Sequence, residues 1–185
     1  MPSLITNDRA AQLVPQLSSV PTDQLTAQLA SASAVIEAVC NRKFACGYVV
    51  EEAILTDVYG CVWLQRTPVV SGTLLLTDLD DVAINRWRLD TASGELQTPS
   101  HRSRHLKASY QGGYSTLPAE LELAVANLAR IAITRDASQA DGEIAAKEIG
   151  SVKITYANLS EIGMSDAVPK SIMNTIGHLV MPKSI

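Results

Sequence analysis

His101 and His105 stand four residues apart, with Arg102, Arg104 and Lys107 between and beside them. On a helix, imidazoles at that spacing share a face and can hold a metal ion. The local sequence speaks against a helix: Pro99 and two serines interrupt it, and no third ligand is adjacent. What remains is cationic. Arg102, Arg104 and Lys107 could touch a nucleic-acid backbone without reading its sequence. A solvated hairpin loop is the plainer reading. Asp78, Asp80 and Asp81 could hold a hard cation, but calcium loops need further oxygen ligands at fixed spacing and a glycine. An acidic turn accounts for them better. Cys40, Cys46 and Cys61 are odd in number and lack zinc-pair spacing, so they read as free thiols of a chain made in a reducing cytoplasm.

No G-x-S-x-G elbow, H-E-x-x-H helix, phosphate loop or dinucleotide glycine pattern occurs. Trp63 and Trp87 could serve as stacking platforms for bases, although tryptophans on short β runs more often pack. The sequence therefore names no catalytic residue, no metal site and no cofactor. A hydrolase with a dispersed site would need a concave pocket holding perturbed titratable groups.

The 185 residues suffice for one ordinary domain, or a compact domain carrying an inserted lobe. Apolar residues make up 46% and aromatics only 4%, so the core must come from Leu, Val, Ile and Ala. The net charge of −4 argues against tight duplex-DNA binding by bulk charge, while leaving room for a local patch. No apolar run is long enough for a membrane span, and the start MPSLITNDR lacks the pattern of a secretory signal.

Helical spacing governs both ends of the chain, and β-favouring runs fill the middle. Thr6 or Asn7 caps a first short helix that Pro15 stops. Thr22 caps a second, with Leu25, Leu29, Ala32, Ile36, Val39 and Cys40 on one face, Ser33 largely off it, and Asn41 as its stop. Short runs between residues 46 and 110, separated by turn signals, predict an antiparallel sheet or small barrel-like lobe. Gly112, Gly113, Tyr114 and Pro118 then form a turn that returns the chain to a helix carrying Leu117, Leu121, Val125, Leu128 and Ala132. Thr116 is its candidate cap. Residues 136–150 read as a mobile loop, and 151–156 as a half-buried strand with Val152, Ile154 and Tyr156 on one side. Pro169 opens a last helix bearing Ile172, Met173, Ile176, Leu179 and Val180, an apolar face with no evident local partner. The expected class is α+β: a mainly helical body of about four helices with an inserted antiparallel β lobe. The segments 1–45, 46–110 and 111–185 make one structural unit.

The order of these parts resembles the head–tail connector (adaptor, or head-completion) proteins of tailed bacteriophages and related gene-transfer particles. The matching stretches are LTAQLASASAVIEAVCNRKF with its terminal Arg42-x-Phe44, WLQRTPVVSG, LDTASGEL, YQGGYSTLPAELELAVANLA, GSVKITYAN and VPKSIMNTI. Asn41 stands where the family often has glycine. The resemblance implies a structural virion protein without catalysis, made in the bacterial cytoplasm and located in the neck. It implies rings, commonly twelve-fold, beneath a portal protein, with DNA passing through the channel without specific binding and a further neck or tail protein docking below. In that picture region 169–185 docks on the portal, and Val152, Ile154 and Tyr156 meet a neighbouring subunit. A small nucleic-acid-binding module, or a stopper or tail-completion protein of the same neck, is the alternative.

Overall fold

The computed structural model describes residues 3–99, 103–140, 146–149, 152–155 and 168–181. In chain order the elements are α1 (Asn7–Leu13), a 3-10 turn (Pro15–Ser19), α2 (Thr22–Cys40), β1 (Gly47–Leu55), β2 (Cys61–Trp63), β3 (Leu75–Thr77), β4 (Arg88–Leu89), β5 (Glu95–Gln97), β6 (His105–Gly112), α3 (Ala119–Ala140), β7 (Ala146–Ile149), β8 (Val152–Thr155), α4 (Lys170–Ile176) and a closing 3-10 turn (Gly177–Leu179). The class is α+β, with four α-helices and antiparallel strands. The chain divides into two compact units, one of Met1–Ile36 with Glu120–Gly177, the other of Glu37–Ala119 with His178–Ile185.

The first unit is helical. The Thr6 hydroxyl accepts from the Arg9 backbone N–H at 3.3 Å and caps α1. Pro15 ends α1 and starts the 3-10 turn. A proline directly precedes α2, α3 and α4 in turn: Pro21, Pro118 and Pro169. Thr22 is thus the first helical residue rather than the cap, and the Pro21 carbonyl accepts from Leu25 N at 2.9 Å. In the same way Pro118, not Thr116, adjoins α3. Side chains tie the helices together. Asn7 Nδ2 donates to Thr26 Oγ1 at 2.8 Å, Arg9 forks onto Glu122 Oε2 at 2.7 and 2.9 Å, and Gln28 Nε2 donates to Asp136 at 2.9 Å.

Helical spacing places Leu25, Leu29, Ala32 and Ile36 of α2 in the core. From α3, Leu121, Ala124, Val125, Ala126, Leu128 and Ala129 are buried. Each fully buried leucine or valine contributes on the order of 1.5–3 kcal/mol. Ser33 departs from the expected pattern: it is buried on the core side of α2. Its hydroxyl donates to the Leu29 carbonyl at 2.6 Å and accepts from Leu4 N at 3.0 Å, so burial leaves it satisfied.

One further difference concerns residues 136–150, whereas the strand expected within 151–156 is present as Val152–Thr155. Instead of a loop from Asp136, α3 continues through Ala140, with Asp136 held by Gln28, and Ala146–Ile149 is a strand. β7 pairs antiparallel with β8 in the register Ala146↔Thr155 to Ile149↔Val152. Val152 and Ile154 therefore lie on a strand, while Tyr156 falls outside the described residues.

The second unit is built on two three-stranded sheets, ordered β1-β6-β3 and β2-β5-β4. β1 pairs with β6 from Gly47↔Gly112 to Leu55↔His105, with a bulge between Val49 and Glu52 where Glu51 takes φ +51°. Alternation along β6 sends Leu106, Ala108 and Tyr110 into a core shared with Ile54, Val62, Leu64, Val69, Leu76 and Leu96. Val82–Ile84 forms no strand; only Ala83 bridges to Thr77.

The turn after β6 is tightly enclosed. Gly113 has φ +93°, its N–H donates to the Pro68 carbonyl at 2.8 Å, and Tyr114 N donates to the Phe44 carbonyl at 2.8 Å. The Thr67–Pro68 bond is cis.

Candidate functional site

Where α2 stops, Asn41 adopts φ +51° and the chain reverses toward Arg42 and Phe44. Phe44 is fully buried and faces the Tyr114 ring, centroids 6.4 Å apart. Arg42 lies above both rings, its guanidinium carbon 5.1 Å from Phe44 and 5.8 Å from Tyr114. Only 8% of Arg42 is exposed. Its Nη2 donates to the Thr67 carbonyl at 2.8 Å and its Nη1 to the Leu179 carbonyl at 3.4 Å; Nε has no partner among the described residues. Burial lowers its pKa, an effect that the Tyr114 hydroxyl opposes. The same burial pushes the Cys40 thiol up to about 11, against the pull of the Arg42 charge. Cys40 is therefore a packed, unreactive thiol.

Arg42 also anchors the chain's far end. Met181 N donates to the Cys40 carbonyl at 3.0 Å, and the Thr67 hydroxyl lies 3.9 Å from the Met181 sulfur. Ile172, Ile176 and Leu179 are buried. The apolar face expected to lack a partner is thus largely buried within the folded chain. Of the six residues assigned to portal docking, Val180 is exposed, while Pro169 and Met173 are half-buried.

A second polar centre lies beneath β1. The Tyr110 hydroxyl donates to Glu52 Oε2 at 2.6 Å and accepts from the Arg66 backbone N–H at 3.1 Å. Burial raises the Glu52 carboxyl above its ordinary 4.5, opposed by Tyr110, the Gln65 backbone and the Arg66 charge. The folded chain then holds that proton more tightly than the unfolded chain does. The resulting stability is fully present below pH 4.5 and is lost as pH rises through the raised value. Glu52→Gln should remove this slope. Urea midpoints at acid and neutral pH should show the variant gaining on the parent as pH rises; parallel trends would exclude Glu52 as the source.

The cationic segment divides. His101 and Arg102 lie outside the described residues, and His105 opens β6, an extended strand that gives no helical four-residue pairing. Lys107 is paired with Asp81 at 2.7 Å, which raises its pKa. Asp78 receives the backbone N–H groups of Asp80 and Val82 at 3.0 and 2.9 Å, closing the acidic turn. Arg104 behaves differently. Its backbone pairs with Thr56, and its side chain lines an open trough together with Arg86.

That trough has two adjoining parts, of about 330 and 280 Å³, which share Arg86, Thr98 and Pro99. Arg88, Trp87 and Tyr59 line one part, Arg104 and Asn85 the other. Among the described residues, no acidic side chain lines the trough. Among the described residues none of the three guanidinium groups pairs with a carboxylate. Tyr59 is 73% exposed and Trp87 38%, whereas Trp63 is half-buried on β2. Sequence reasoning singled out Arg104 and Trp87 separately and passed over Arg86 and Arg88. The tripeptide Arg86-Trp87-Arg88 was the signal available.

No protein family and no curated protein sequence matches the chain. Solved structures do. A chain from the neck of an empty GTA particle, computed with C6 symmetry, matches with a TM-score of 0.50 and 17% identity, over 99% of this chain and 95% of that one. A chain from the virion of the native gene transfer agent particle matches with a TM-score of 0.50 and 18% identity, over 99% of this chain and 92% of that one. The fold is thus one used in gene transfer agent particles, along nearly the full length of both chains. The resemblance drawn from the order of sequence motifs points to the same kind of particle.

Proposed function

We propose that the chain is a structural protein of the neck of a phage-like particle. It assembles into a ring beneath the portal, extends the DNA channel and offers a platform to the next neck or tail protein. The observation that carries this reading is the match, over nearly the whole length of both chains, to a chain in the neck of a gene transfer agent particle. Such a ring needs heterologous contacts, one face of each subunit meeting a different face of the next. A twelve-subunit ring contains the six-fold symmetry used for that neck.

The β7–β8 hairpin, with Val152 and Ile154 on β8, is the segment assigned to the neighbouring subunit. Of the six residues assigned to portal docking, Val180 is the exposed one. The burial of Ile172, Ile176 and Leu179 makes them fold determinants first.

Electron microscopy of the chain co-expressed with the portal protein of the same genome tests the reading. The expected result is portal rings bearing an added layer of matching rotational symmetry. Bare portal rings beside monomeric chain would overturn it.

A further inference from the structure

We propose that the trough lined by Arg86, Arg88 and Arg104 binds single-stranded nucleic acid, through its phosphates and by stacking on Trp87 and Tyr59. Three arginines with no carboxylate partner among the described residues line two adjoining hollows in a chain whose net charge is −4. Unpaired arginines attract phosphate and can grip it bidentately. Charge alone would suit an acidic protein segment equally well. The aromatic rings decide between the two: an acidic segment has no use for flat exposed faces, whereas every unpaired base stacks on them. A duplex offers phosphates but keeps its bases inside.

The trough is open rather than enclosed, as a passing strand requires, and the amides of Asn85 and Gln97 add neutral hydrogen-bonding groups along it. Nearby Asp57 is turned away from this task, since its carboxylate accepts from Tyr59 N and Cys61 N at 2.8 Å each. The sheet fixes the backbone of one of the arginines: Arg88 on β4 pairs with Gln97 on β5. The site needs neither ring nor portal, because a single chain carries all of it.

Fluorescence anisotropy with labelled dT20, a 20-base-pair duplex and polyglutamate tests the assignment on the full chain. The strand should bind more tightly than the duplex. With three phosphate contacts its affinity should fall about twentyfold between 50 and 200 mM salt. Replacing the three exposed arginines by glutamine (R86Q, R88Q and R104Q together) should abolish most of that salt dependence at unchanged thermal stability. Trp87→Ala should weaken strand binding about tenfold and leave the salt slope intact. Failure to bind dT20 at 50 mM salt would overturn the proposal. So would strand binding indifferent to Trp87→Ala, or polyglutamate binding as tightly as the strand.

Discussion

Replacing Gly113 by alanine should lower the stability of the chain by about 2–5 kcal/mol, a sum of two separable causes. At φ +93° any L side chain strains the backbone, by roughly 1–2 kcal/mol. The new Cβ would also meet backbone: it would lie 2.6 Å from the Ala45 carbonyl carbon and 2.8 Å from Cys46 N, with the Ala45 oxygen nearer still. Backbone atoms cannot swing away as a long side chain can, so the turn or its neighbour must move, for a further 1–3 kcal/mol or so. Gly72 supplies the control. It has φ +79° but nothing within 4 Å of its added Cβ, so Gly72→Ala carries the strain without the collision. Thermal melts should therefore place G113A roughly 10 °C below the parent, and G72A only a few degrees below. Equal losses in the two variants would show that the close approach to Ala45 is unimportant.

Arg42→Ala is expected to be at least as damaging, for a different reason. The Thr67 carbonyl takes a charged hydrogen bond from Arg42 in a buried place, and such bonds contribute about 1.5–3 kcal/mol. The cation over two aromatic rings adds about 0.5–2 kcal/mol. Among the described residues no carboxylate pairs with the guanidinium; carbonyl oxygens and ring faces disperse its charge. Arg42→Lys should recover only part of the loss, since an ammonium cannot lie flat between two rings and fork onto two carbonyls at once. Hydrogen exchange gives the second readout. Loss of Arg42 should speed exchange at Met181, whose N–H is bound to Cys40, one helical turn's end away from the vacated place. A variant with unchanged melting and exchange would remove Arg42 from its position as anchor of the C-terminal segment.

These two residues mark the boundary of what the sequence discloses. Local rules sufficed for Thr6 as a cap, Asn41 as a helix stop and the buried face of α2 from Leu25 to Cys40. Gly113 was readable as a turn, because positive φ is a property of a few neighbouring residues. The collision with Ala45 was not, because Ala45 lies 68 positions earlier in the chain and reaches the turn only through the pairing of β1 with β6 and the Ala45↔Tyr114 bridge. Arg42 stood out in the Arg42-x-Phe44 motif, but its anchoring role did not, for the same reason: Thr67 and Leu179, which accept from it, are 25 and 137 positions away. Ser33 was misplaced because a hydroxyl scores as polar until its two partners are known. The face of α4 appeared unpartnered, yet Ile172 and Ile176 are buried. The binding trough was half legible. Arg104 and Trp87 attracted notice singly, but only the pairing of β4 with β5 and the path of β6 bring Arg88, Arg86 and Arg104 to one channel.

The bulge in β1 bears on how the chain behaves at high concentration. β1 is a sheet edge nine residues long, and it displays Tyr48 and Val50 to solvent. A flat apolar edge of that length is a template on which a second chain can add strand after strand. Glu51, at φ +51°, breaks the template into Gly47–Val49 and Glu52–Leu55, two pieces too short to hold a foreign strand alone. A single residue in an unusual conformation thus interrupts an edge on which a second chain could otherwise add.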